Sequence, residues 1–198
     1  MKGIIAAVPT PINSSHAPNL KLYIEHCSWA LKNGCDGLNI LGSTGEASSF
    51  DFSTRKQIME SAITNLDPKR LMVGTGTTSL SETVKLTQYA DELKYEIALV
   101  LPPYYYKPIT NEGLFSWYKE LHCKLKERKI KIFFYNFPQL TGLEIPIEVI
   151  EKLHCKWPNR FSGVKDSSGN LAYCRYLASK LPKLSVFPSS ETSLNEAK

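Results

Sequence analysis

The sequence predicts an α/β fold, a (β/α)8 barrel that is incomplete at its C-terminal end. Three observations predict it. Short apolar runs alternate with amphipathic stretches of helical period, the alternation repeats at roughly 25 to 30 residues, and nearly every run ends in a polar or small-residue cluster.

Seven runs read as strands, at residues 4–8, 37–41, 71–74, 97–101, 131–135, 161–165 and 184–187. Each is a short apolar segment bounded by turn residues, the pattern of a strand buried on both faces. Between them, apolar residues recur at helical spacing over residues 20–33, 52–66, 80–93, 111–128, 146–154 and 171–180. Helix starts carry suitable caps: Ser79 before Leu80, Thr110 with Gly113 before the stripe that begins at Leu114, and Pro146 at a first turn. Strands separated by helices require parallel pairing with right-handed crossovers. That leaves a doubly wound sheet or a barrel.

The strand ends decide between them. The first strand runs into Pro9-Thr10-Pro11 and the second into Gly42-Ser43-Thr44-Gly45-Glu46. Thr75-Gly76-Thr77-Thr78, Pro102-Pro103-Tyr104-Tyr105-Tyr106, Asn136-Phe137-Pro138, Asp166-Ser167-Ser168 and Pro188-Ser189-Ser190-Glu191 follow the others. A doubly wound sheet concentrates its chemistry at one switch point, whereas a barrel collects it at the C-terminal ends of many strands. The distribution predicts a barrel.

Composition sets the outer limits. The 198 residues suffice for one domain with a real core, and 42% hydrophobic with 22% charged residues is ordinary for a soluble globular chain. No apolar run approaches the length of a membrane span, and the N-terminus lacks a charged-then-apolar leader. The net charge of +5 is spread along the chain without a basic block, which suits a small anionic substrate and argues against nucleic acid. Five widely spaced cysteines without a C-x-x-C pair point to a reducing, cytoplasmic setting. Three of them follow a histidine (His26-Cys27, His122-Cys123, His154-Cys155), but adjacent helical residues diverge by about 100°, so no metal site is expected. Gly74-Thr75-Gly76 lacks the third glycine and the later acidic residue of a dinucleotide fingerprint, and no cofactor is expected.

Lys165 carries the chemistry. It closes the run Phe161-Ser162-Gly163-Val164 and precedes the loop Asp166-Ser167-Ser168-Gly169-Asn170. Apolar surroundings disfavour an ammonium, so a lysine emerging from a buried strand can lose its proton near neutral pH and attack a carbonyl. Most other lysines lie in polar helical stretches such as 124–129, where a solvated role is the default.

Gly42-Ser43-Thr44-Gly45-Glu46, Tyr135-Asn136-Phe137-Pro138 and Gly163-Val164-Lys165-Asp166 together resemble the three signatures of the dihydrodipicolinate synthase/N-acetylneuraminate lyase family. They occur in the family's order, each at an expected strand end, and the resemblance runs from about Lys2 to the end of the chain. It implies a class I aldolase that binds pyruvate or another 2-oxo acid as a Schiff base and joins it to, or cleaves it from, an aldehyde. By that resemblance Lys165 forms the imine and Tyr135 relays protons between it and the substrate oxygen. Ser43, Thr44 and Gly45 hold the 2-oxo carboxylate at a helix N-terminus, and Tyr105 completes a relay in a neighbouring subunit's site. The completed barrel would accordingly be a homo-oligomer. Thr75, Thr77 and Tyr104 are expected to be turn or core residues.

Three features depart from the family pattern. Leu140 stands where the dihydrodipicolinate synthase branch has an arginine that grips the aldehyde partner's carboxylate, which favours the sialic acid lyase and 2-keto-3-deoxy sugar-acid aldolase or dehydratase branches. Pro188-Ser189-Ser190-Glu191 replaces a glycine-containing turn. Third, a full barrel needs ~250 residues, so an eighth strand and the C-terminal helices are expected to be missing. The chain would then be a fragment, a degraded gene product or half of a split protein, and an inactive remnant that still binds 2-oxo acids is the alternative to a lyase.

Overall fold

The computed structural model describes residues 1–189, so Ser190 and Glu191 of the last turn and the expected chain end lie outside the described residues. The elements are β1 (Ile5–Ala7), α1 (Leu20–Lys32), β2 (Gly37–Ile40), α2 (Phe52–Asn65), β3 (Leu71–Gly74), α3 (Leu80–Glu92), β4 (Ile97–Val100), α4 (Asn111–Leu125), β5 (Lys131–Asn136), α5 (Pro138–Thr141), α6 (Ile147–Lys156), β6 (Phe161–Asp166), α7 (Leu171–Lys180) and β7 (Ser185–Pro188). The strands belong to one seven-stranded sheet whose order follows the chain, β1 through β7. A doubly wound sheet would reverse its order at a switch point, so the sequential order is that of a (β/α)8 barrel with seven of its strands present among the described residues. None of the described helices is long and apolar enough to cross a membrane.

Residues cluster into two compact units, Met1–Thr75 with Lys85–Ala98, and Gly76–Val84 with Leu99–Lys198. In the first, β1 pairs in parallel with β2 and β2 with β3, in the registers Ile5↔Gly37 and Leu38↔Leu71. Tyr23, Cys27 and Ala30 of α1 recur at helical spacing and are buried, as are Ile58, Met59 and Ala62 of α2. Asn19 and Asp51 cap these helices by accepting from the N–H groups of Leu22 and Thr54. Thr75 is fully buried and its hydroxyl bonds that of Thr87 at 2.8 Å, the core role its sequence context suggests.

The second unit is built on aromatic packing. Tyr118 of α4 meets Phe134 of β5 edge-on at 5.0 Å, and Phe134 stacks on Phe161 of β6 at 5.3 Å. All three rings are fully buried, each worth about 1.5–3 kcal/mol of transfer free energy. The buried Arg160 guanidinium donates to the carbonyls of Lys126, Arg128 and Ile130, satisfying the chain between α4 and β5. The helix expected over 111–128 stops at Leu125 because Lys126 takes φ +48°, outside the helical region. No glycine marks that stop, so the sequence pattern overran it. Thr77 hydrogen-bonds Thr83 through its N–H at 3.0 Å, again a local structural role.

Candidate active site

Within the second unit, β5 and β6 run in parallel with Tyr135 opposite Lys165 and Asn136 opposite Asp166. Side chains alternate along a strand, so Tyr135 and Lys165 project on one face and Asn136 and Asp166 on the other. On the first face the Lys165 ammonium donates to the Tyr135 phenolic oxygen at 3.3 Å and sits 4.4 Å from the ring centroid. Tyr135 is buried and Lys165 half-buried, so the amine is reachable while its partner is held by packing. Two rungs below Lys165, Gly163 leaves room for the Phe133 ring; a Cβ there would stand 2.6 Å from it.

On the opposite face the Asp166 carboxylate is 2% exposed. One oxygen accepts from the Asn136 amide at 2.7 Å and the other from the Ser168 hydroxyl at 2.8 Å. The Asn136 amide oxygen accepts from the Ile145 N–H at 2.9 Å. Burial, with Asp166 close by and bonded to it, pushes the Cys174 thiol up to about 12. The Asp166 carbonyl accepts from Ser189, whose N–H lies at 2.9 Å and whose hydroxyl lies at 2.7 Å.

After β5, Pro138 opens the one-turn helix α5, which ends on Gly142 in the left-handed region (φ +61°). That helix escapes a pattern-based reading because four residues show no periodicity. It presents Leu140, 64% exposed, to solvent. Gln139 donates to the Ser168 carbonyl at 2.7 Å, and Lys107 donates to the carbonyls of Tyr104 and Thr141 at 2.7 and 2.8 Å. Tyr105 belongs to the same loop as Lys107, is 71% exposed, and meets Tyr106 edge-on at 5.0 Å.

In the first unit, Ser43, Thr44 and Gly45 form the turn after β2. Ser43 is half-buried, Thr44 exposed and Gly45 buried. The Glu46 N–H bonds the Ser43 carbonyl at 3.1 Å, and a 3-10 turn over Ala47–Ser49 follows. The resemblance implies a helix N-terminus at Ser43 and Thr44; the chain instead turns there through Leu41 (φ +51°) and Glu46 (φ +52°), and α2 begins after Asp51, where the periodicity over 52–66 puts it. Gly45 is pinned from β1's side: the Thr10 hydroxyl donates to its carbonyl at 2.8 Å, and a Cβ would stand 3.0 Å from the Val8 carbonyl. Gly74 admits the Leu41 carbonyl, which a Cβ would meet at 1.8 Å.

The buried Asn136–Asp166 pair was not singled out from sequence. Its signal was present, since each lies beside a chemically marked residue at a strand end, but a polar residue there reads equally well as a loop start.

A class of protein is now defined: a barrel with a lysine–tyrosine pair at adjacent strand ends. The dihydrodipicolinate synthetase family model matches residues 1–197, and the chain belongs to that family. A 4-hydroxy-tetrahydrodipicolinate synthase of Hydrogenobaculum sp. is 28% identical over 97% of this chain and 64% of its own length. The crystal structure of dihydrodipicolinate synthase from Agrobacterium tumefaciens superposes with a TM-score of 0.94 at 28% identity, covering 98% of this chain and 68% of that one. YagE, a prophage protein of the dihydrodipicolinic acid synthase family from E. coli K12 solved in complex with pyruvate, superposes with a TM-score of 0.90 at 27% identity, covering 98% and 65%. The chain thus spans less than two thirds of the length of that curated relative.

Proposed function

We propose that this chain, read as a single barrel domain over 1–198, carries the site of a pyruvate-dependent class I aldolase. The observation that carries the reading is the 3.3 Å approach of the Lys165 amine to the Tyr135 hydroxyl in a member of this family. The neutral amine attacks the 2-oxo carbon to give a carbinolamine, and water leaves to form the imine. Both steps move protons between nitrogen and oxygen, which a phenol at hydrogen-bond distance can relay. The protonated imine then accepts the electron pair released when a bond at the neighbouring carbon breaks, and returns it when a new carbon–carbon bond forms. Ser43, Thr44 and Gly45 are assigned to the 2-oxo carboxylate, because a turn rich in hydroxyl and backbone donors suits an anion. Tyr105 is assigned to a relay shared with a second copy of the chain, a role its exposure permits. The pyruvate complex of a relative supports the choice of 2-oxo acid.

Leu140 favours an aldehyde without a carboxylate at that point, as in 2-keto-3-deoxy sugar-acid or sialic acid cleavage, over a dihydrodipicolinate synthase-like condensation. A cytoplasmic setting fits five free cysteines. A second reading is a 2-oxo acid binder without turnover, resting on the Ser43–Gly45 turn alone, whose hydroxyls and backbone donors suit a carboxylate. Borohydride reduction with pyruvate separates the two: covalent trapping supports the lyase, whereas saturable binding without trapping supports the binder.

A further inference from the structure

We infer that Asp166 is a positioning residue, which through its bond to Asn136 fixes the ends of β5 and β6 so that Lys165 and Tyr135 meet. The inference rests on the reading of Lys165 and Tyr135 as the reacting pair and deepens it.

A carboxylate at 2% exposure is costly unless its oxygens are satisfied. Here each is: one takes the Asn136 amide at 2.7 Å, the other the Ser168 hydroxyl at 2.8 Å, with the Cys174 thiol beside them. The Asn136 amide cannot flip, because its oxygen already accepts from the Ile145 N–H at 2.9 Å. The bridge therefore has one orientation, and charge-assisted bonds of this length are roughly twice as strong as neutral ones. It also sits one rung beyond the Tyr135↔Lys165 pair, on the opposite face of the same two strands. A rung is ~3.3 Å, so a slip or splay at the bridge passes directly into the separation of the amine and the phenol. Errors of about 1 Å in such alignments cost on the order of 100-fold in rate. From the other side, Ser189 holds the Asp166 carbonyl through its N–H and hydroxyl, at 2.9 and 2.7 Å. Asp166 is therefore tied laterally on both sides. It faces away from the amine and has its oxygens occupied, which assigns it to holding rather than to proton transfer.

The test is competitive acetylation of the full-length chain, with each lysine quantified by mass spectrometry and Lys165 referred to the exposed Lys21 and Lys85. It needs no 2-oxo acid, so it decides the matter even if pyruvate never condenses. Asp166→Asn should raise relative labelling of Lys165 at least threefold, as the amine loses its fixed place over Tyr135. The reciprocal pair Asn136→Asp with Asp166→Asn keeps every bond of the bridge with donor and acceptor exchanged, and should return labelling to the native level. Asn136→Ser removes the amide donor to Asp166 together with the oxygen that accepts from the Ile145 N–H, and is read in the same way if Asp166→Asn does not fold. Where the native chain traps pyruvate, Asp166→Asn should also slow trapping at saturating pyruvate by about 10-fold with little change in half-saturation. Unchanged Lys165 labelling in folded single variants would overturn the inference, as would a rise that the reciprocal pair fails to reverse. A native chain that does not trap pyruvate, with the labelling pattern as expected, would remove the aldolase reading and leave the positioning role standing.

Discussion

Tyr135 and Lys165 stand directly opposite each other in the β5–β6 register, with the phenolic oxygen 3.3 Å from the lysine amine. Neighbouring parallel strands place the two residues, which lie 30 positions apart in sequence, with no contribution from a flexible loop. Sites built on strands hold geometry better than sites on loops.

Tyr135→Phe keeps the ring and its packing and removes only the hydroxyl. Turnover with any productive 2-oxo acid should fall ~100-fold or more, the usual contribution of a positioned proton-transfer group. Imine trapping should persist at a lower rate. Steady-state kinetics and trapping on the same preparation check both halves; unchanged turnover would reduce Tyr135 to a packing residue.

Leu140 offers no cation to an acceptor carboxylate. Charge-assisted contacts are worth roughly 1.5–3 kcal/mol, so kcat/KM for aspartate semialdehyde should lie about 10-fold to 150-fold below that of an enzyme with arginine there. Leu140→Arg should recover part of that deficit, since the 64% exposed side chain can be lengthened without displacing a neighbour. Efficient condensation by the native chain would mean that another residue supplies the cation.

Gly163→Ala forces a methyl to within 2.6 Å of the buried Phe133 ring. Overpacking of this kind costs about 1–3 kcal/mol, and with m near ~2 kcal/mol/M the urea midpoint should drop by roughly 0.5–1.5 M. Borohydride trapping should slow as well, because position 163 shares the face of Lys165. An unchanged midpoint would show that Phe133 yields freely.

Burial raises the Cys27 thiol from its ordinary value of 9.0 to about 11 and the Cys174 thiol to about 12. The folded state keeps both protonated where the unfolded chain, ionising near 9, has released its protons. The unfolded state then binds fewer protons, so stability is intact below about pH 9 and falls as pH rises toward 11–12. Urea midpoints measured from pH 8 to 11 should decline over that interval, and exposed Cys123 and Cys155 should react with iodoacetamide well before Cys27 and Cys174. A midpoint that stays level or rises would contradict the assignment.

How much of this was legible in the sequence follows from what each feature depends on. Strands and long helices were legible because their apolar periodicities are local: β3 spans residues 71–74 and α7 residues 171–180, as the pattern indicates. Polar strand ends distinguished the barrel, and the sequential strand order bears that out. The exact path of the turn through Ser43 and Thr44 was not legible, because the positive φ angles of Leu41 and Glu46 leave no mark in residue type. The Asn136–Asp166 bridge was missed because it depends on the register between two strands, a relation that appears only when the chain is folded.

The proposed chemistry stands or falls with an imine between Lys165 and a 2-oxo acid. Borohydride reduction in the presence of pyruvate, followed by peptide mapping by mass spectrometry, tests it most directly. One reduced three-carbon unit is expected, located on Lys165 and absent from a folded Lys165→Ala variant. An adduct on another lysine with Lys165 unmodified, or no adduct at saturating pyruvate, would contradict it.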